Sequence, residues 1–175
     1  MTGIVYIATS LDGFIARTDG SVDWLPEPAD DAGTDFADLM DSVDALVMGR
    51  KTYDTVLGFG VWPYGTKPVF VLTHRDLTPP DDPAAYVESI AGSPAEITAQ
   101  LRERGYNNLY IDGGSTIQAF LRAGEIHRLI ITRIPVLLGQ GVSLFGELEG
   151  DIQLTCLRSE KIAGGLEQAE YEVTG

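Results

Sequence analysis

Three short segments hold the residues best suited to chemistry. In the first, the apolar run Ala45–Met48 meets Gly49, and Arg50, Lys51 and Thr52 then open a helical pattern. Helix N-termini leave backbone N–H groups without partners and carry partial positive charge, so they attract phosphate. Gly49 admits close approach to the backbone, Thr52 adds a hydroxyl, and Arg50 and Lys51 add charge. In the second, Gly113 and Gly114 separate a strand from a helix, with Ser115 and Thr116 as donors. In the third, the apolar run Pro68–Leu72 ends in Thr73, His74 and Arg75. Neither glycine turn has G-x-G-x-x-G or Walker spacing, so each alone also reads as an ordinary capped turn. Together they say more, because ligands of open α/β sheets bind beyond the carboxyl ends of the strands.

The charge balance sharpens this reading. The 175 residues include 12 Lys+Arg against 26 Asp+Glu, a formal net charge of −14. Such a field repels polyphosphate chains, so DNA and RNA are poor partners. Grouping Arg50, Lys51 and Arg75 is costly unless an anion sits among them. A pyrophosphate beside a 2′-phosphate fits, which favours NADP over NAD. The competing reading pairs Lys51 and Arg75 with local acids such as Asp54 and Asp76. A single cysteine, Cys156, and two histidines, His74 and His127, exclude a Cys/His zinc cage, and no metal site is expected. The lone cysteine suits a reducing compartment. No stretch approaches the ~18 apolar residues of a membrane span, and no basic region opens the chain as in a signal peptide. A cytoplasmic protein without a membrane partner is expected.

The elements that position these segments alternate along one domain, residues 1–175. Residues 3–9 read as a buried strand, and 10–28, rich in Gly, Asp and Pro, as a long functional loop. Residues 30–42 read as a helix whose stripe is Phe36, Leu39, Met40 and Val43. Strands follow at 44–48, 68–72 and 108–111, and helices at 50–57, 95–104 and 115–124, the last stopped by Gly124. From His127 three strands follow one another, 127–138, 151–159 and 166–174. The fold expected is α/β in three layers, with helices on both faces of a mostly parallel sheet and antiparallel strands at its C-terminal edge. His127, at a strand start, reads as structural.

The ordered segments SLDGFIA, DWL, VMGRKTY, WPY, KPVFVLT, LYIDGGS and RIPVLLGQGVSLF resemble the dihydrofolate reductase superfamily. They are most similar to the branch that contains the riboflavin-biosynthesis reductase C-terminal domain. The resemblance spans about residues 3–173. It implies NADPH held at the phosphates by Gly49, Arg50, Lys51 and Thr52, with the 2′-phosphate selected by Thr73, His74 and Arg75. It implies that Gly113, Gly114, Ser115 and Thr116 face the pyrophosphate and nicotinamide, often through a cis peptide in the glycine pair. Ala8 and Ile15 would offer backbone groups to the nicotinamide amide, and residues 12–25, with Trp24, would close over the reaction. A homodimer through the edge strands is implied as well.

One departure bears on the substrate. Dihydrofolate reductases place an acid on the first helix, but the matching positions here are Ala32 or Gly33. Asp35 is the nearest acid toward the inner stripe, with Asp31 farther off, and both also read as solvated residues of a helix start. Asp12, within SLDG, is a second candidate acid or a plain turn aspartate. Phe36, Trp24 and Trp62 are the expected substrate contacts, although the aromatic loop of Phe59, Trp62 and Tyr64 equally reads as packed on the core. The resemblance implies reduction of a small heterocycle. That heterocycle is a ribosylaminopyrimidine phosphate, as in 5-amino-6-(5-phosphoribosylamino)uracil reductase, or a pteridine such as dihydrofolate. A non-catalytic NADPH-binding module is the alternative from another class.

Overall fold

The computed structural model describes residues 1–26 and 33–175, with side chains throughout these except at 33–35. Eight strands form one sheet. In chain order they are β1 (Thr2–Ser10), β3 (Ala45–Gly49), β4 (Val69–Leu72), β5 (Val87–Ile90), β6 (Asn108–Asp112), β7 (Arg128–Ile134), β9 (Leu154–Lys161) and β10 (Glu167–Val173). Two short strands, β2 (Phe14–Ala16) and β8 (Val142–Ser143), pair separately. Across the main sheet the order is β5-β4-β3-β6-β1-β7-β10-β9. The first six of these run parallel, and β10 is antiparallel to both β7 and β9. The expected architecture is therefore present, with its antiparallel edge.

Among the described residues, four α-helices cover the two faces: α1 (Gly33–Ser42), α2 (Arg50–Leu57), α3 (Pro94–Glu103) and α4 (Gly114–Arg122). Strand alternation sorts the apolar residues between the faces. Leu39 of α1, Val43 just beyond it, and Tyr53 and Val56 of α2 pack with Ile4, Leu46, Met48 and Tyr110. Ile97 and Leu101 of α3 and Ile117 and Phe120 of α4 pack with Val5, Val47, Leu109 and Ile111 on the other side. The run Ala45–Met48 is apolar without alternation because both its faces are covered. The α1 stripe behaves as its spacing predicts, with Leu39 and Val43 buried and Phe36 and Met40 partly so.

Several boundaries differ from expectation. The segment 10–28 is not loop throughout, since Phe14–Ala16 pairs with Val142–Ser143. β5 escapes the sequence pattern because its four residues, Val-Glu-Ser-Ile, form a half-exposed sheet edge. β7 ends at Ile134, because Pro135 has no N–H to continue the ladder. The helix start at 30–32, with Asp31 and Ala32, lies outside the described residues, as do 27 and 28 of the long loop. His127 is structural: its Nδ1 accepts the Gly3 N–H at 3.0 Å.

Candidate functional site

Parallel pairing puts the carboxyl ends of β1, β3, β4, β6 and β7 on one rim. The two glycine turns interlock there. A Cβ built on Gly113 would lie 2.5 Å from Thr52 Oγ1 and 3.7 Å from the Gly49 nitrogen, and one on Gly49 would lie 3.0 Å from Thr116 Oγ1. The starts of α2 and α4 thus meet at one point, and neither N-cap glycine gives a side-chain cap. Their first-turn N–H groups remain for another acceptor. Gly113 makes its turn with φ +95°, and every described peptide is trans, so the implied cis bond of the glycine pair is absent. The left-handed φ already reverses the chain there, which only glycine does without strain. Gly114 abuts Ile15 and Val142, which brings β2 and β8 to the same turn.

The cationic residues are arranged partly as expected. Arg50 is committed on two sides, with Nε donating to Asp54 Oδ1 at 2.9 Å and Nη1 to the Asp76 carbonyl at 3.0 Å. It thereby ties the start of α2 to the loop after β4. That loop is pinned by the Arg75 N–H donating to Thr73 Oγ1 at 3.1 Å. Lys51, His74 and Arg75 form no ion pair among the described residues. Neither Lys51 nor Arg75 pairs with Asp54 or Asp76 among the described residues, and Asp54 pairs with Arg50 instead. Thr116 is 4 % exposed, and the hydroxyls of both Thr116 and Thr52 pack closely against the opposite glycine turn. Ser115 is exposed. These uncapped helix starts and unpaired cations fit a dinucleotide with an extra phosphate.

Beside the turns a mostly apolar cleft of about 410 Å³ opens between α1 and the sheet. Tyr6, Ala8, Phe36, Asp112, Thr132 and Ile134 line it, together with Leu25 and the β9–β10 hairpin at Ile162–Leu166. The Phe36 and Tyr6 rings meet at 6.1 Å. Trp24 adjoins it through Leu25 and Pro26, and its buried indole Nε1–H has no partner among the described residues. Trp62 is elsewhere. Its ring packs edge-on against Tyr53 and Tyr64, its Nε1 donates to the Gly65 carbonyl, and it lines a groove with Val56 and Pro79. The core-packed reading of that aromatic loop holds for Tyr64 and Trp62, whereas Phe59 is exposed.

The acids are redistributed. Asp35 lies on α1, and its side chain is outside what the structure describes. Asp12 accepts from Ser10 Oγ at 2.6 Å and from the backbone N–H groups of Leu138 and Gly139 at 3.2 and 2.8 Å. The Ser10 hydroxyl foremost, then the two amides, holds its carboxyl below the usual range. Asp12 thus buttons the β1–β2 loop to the β7–β8 loop. Among the described residues the acid that lines the cleft is Asp112, which the sequence reading passed over. Burial pushes its carboxyl up to about 6, against a smaller opposing effect of the Gly113 N–H that donates to Oδ1 at 2.8 Å. Its signal was present as the one charged residue closing the apolar run Leu109–Ile111, directly before Gly113.

Comparison with known proteins agrees with this geometry. Protein YwjB of Bacillus subtilis is 35 % identical over 170 residues, covering 96 % of this chain and 95 % of YwjB. A protein assigned to riboflavin biosynthesis in Shewanella sp. PV-4 has a solved structure with TM-score 0.90 and 46 % identity, covering 100 % of both chains. Enterococcus faecalis dihydrofolate reductase, solved with NADP(H) and RAB-propyl, superposes with TM-score 0.67 at 18 % identity, covering 99 % of this chain and 97 % of that one. The fold is thus dihydrofolate reductase-like. The RibD C-terminal domain model matches residues 1–167, and the chain belongs to that family.

Proposed function

We propose that the protein is an NADPH-dependent reductase of a small heterocycle, most similar in substrate to 5-amino-6-(5-phosphoribosylamino)uracil reductase. The observation that carries this is an acid poised near neutrality in an apolar cleft, one residue from the glycine turn where two uncapped helix starts meet. Bound at that rim, NADPH would supply the hydride.

The chain's own residues supply the rest. Lys51, His74, Arg75 and Ser115 would hold the phosphates, with Gly49, Gly113 and Gly114 giving the backbone access. Arg50, Thr52 and Thr116 keep the two turns and the β4 loop in register. Ala8 and Ile15 would meet the nicotinamide amide, and Phe36 would wall the substrate ring. Asp112 would deliver a proton to the heteroatom whose π electrons are displaced when the adjacent carbon is reduced. Its raised pKa keeps an appreciable fraction protonated near neutral pH. The segment with Trp24 would exclude water. A cytoplasmic homodimer is part of the same reading. All eight β9 residues are exposed at an open sheet edge, the kind of edge that a second chain covers.

The test is an absorbance assay of NADPH loss with three substrates in parallel: the ribosylaminouracil phosphate, dihydrofolate and dihydrobiopterin. Turnover of the first supports the reading. Rapid turnover of dihydrofolate alone would replace it with a pteridine reductase. Tight NADPH binding with no turnover of any would leave a non-catalytic binding module.

A further inference from the structure

A polar chain leads from the exposed sheet edge into the cleft. Gln168, on β10, is 2 % exposed, and its Nε2 donates to Thr132 Oγ1 at 3.0 Å. Its Oε1 accepts from Arg158 Nη2, on β9, at 3.5 Å. A guanidinium only donates, so it obliges the Gln168 oxygen to face it and the NH₂ group to face Thr132. Thr132 must then accept. No described residue takes the Thr132 hydroxyl's own hydrogen, and Thr132 lines the cleft.

We infer that Gln168, oriented by Arg158, fixes Thr132 as a hydrogen-bond donor to the substrate, so the cleft selects a heterocycle with an exocyclic carbonyl oxygen at that edge. This rests on the proposed reading of the cleft as the substrate pocket. Gln168 and Arg158 are positioning residues. Neither needs to touch the ligand, yet together they set the polarity of a contact two side chains away. A buried site built for one polarity rejects a ligand of the other, because a mismatch leaves two donors or two acceptors facing one another. An oxo-pyrimidine is favoured over its amino counterpart at this wall.

The experiment measures the ratio of dissociation constants for uracil and 2,4-diaminopyrimidine, at a pH where both are neutral. The two present carbonyl and amino groups at matched positions. Gln168→Glu leaves only acceptors facing Thr132, turns its hydroxyl inward and points its lone pairs at the ligand. The ratio should move toward the diaminopyrimidine by on the order of tenfold or more. The added charge is controlled by Thr132→Val, in whose background Gln168→Glu should leave the ratio unchanged. If Gln168→Glu does not fold, Arg158→Met, at an exposed position, frees the Gln168 amide to turn, and the uracil preference should relax several-fold. A wild-type protein that binds neither probe overturns the reading of the cleft. A wild type that binds them, with a ratio indifferent to Gln168→Glu or Arg158→Met, overturns the relay alone. A shift of equal size with and without the Thr132 hydroxyl also overturns it.

Discussion

Replacing Asp112 by Asn tests both the stability and the chemistry of the cleft. Burial raises the carboxyl from 3.8 to about 6, roughly two units, or about 3 kcal/mol at 1.36 kcal/mol per unit. The cleft is partly open to water, so this is an upper bound. Because the folded value is the raised one, the folded state holds a proton that the unfolded chain releases between about pH 4 and 6. The contribution is therefore fully favourable only below the unfolded value and is lost as pH rises through the folded one. Asn carries no such penalty and still accepts the Gly113 N–H. At pH 7.5 Asp112→Asn should melt above wild type by up to roughly 6–12 °C, taking about 2–4 °C per kcal/mol for a chain of this size. By pH 5 the advantage should shrink to about half, since the carboxyl is then mostly protonated in the fold but largely ionised in the unfolded chain. Turnover should fall by roughly 10²–10⁴-fold, and the wild-type decline of kcat above about pH 6 should disappear. Thermal melts from pH 5 to 8 and NADPH-loss rates over the same range read both effects. A variant that melts with wild type at pH 7.5 and keeps the wild-type pH–rate profile would refute the strained, proton-donating carboxyl.

Other outcomes follow from the rim. Arg75→Ala should weaken NADPH by roughly tenfold or more while leaving NADH nearly unchanged, from the loss of a charge-assisted contact to the 2′-phosphate; titration of both cofactors checks it, and equal weakening removes that role. Arg50→Ala should also weaken NADPH, and it should loosen the Thr73–Asp76 loop, seen as faster amide exchange there. Gly113→Ala forces a side chain into φ +95° and against Thr52 Oγ1, so it should cost at least about 2 kcal/mol in denaturant melts. Asp12→Ala should raise hydrogen exchange at the Leu138 and Gly139 amides and shift KM more than it shifts the melting temperature; protection equal to wild type would mean that those amides have other partners.

The alternation of strand and helix was legible in the chain because burial on two faces leaves a strong pattern. Ala45–Met48 must be apolar throughout, and α1 must show Phe36, Leu39, Met40 and Val43 at helical spacing. The glycine turns were legible for the same reason: a strand that stops at glycine before a helix is a local event. β5 and β2 were not, because three or four half-exposed residues carry no period and gain their place from partners far along the chain. Family motifs likewise pointed to the Gly49, Thr73 and Gly113 segments from residue order alone. What residue order does not contain is distance. The interlocking of Thr52 with Gly113, the capture of Arg50 by Asp54 and the Asp76 carbonyl, the removal of Trp62 to another groove and the enclosure of Asp112 all depend on which strands neighbour which. A carboxylate's role follows from its local dielectric and partners, and these are assembled by residues more than a hundred positions apart, as Ser10 and Gly139 are around Asp12. Types and periods belong to the one-dimensional chain; solvation and polarity come into being only when the sheet closes.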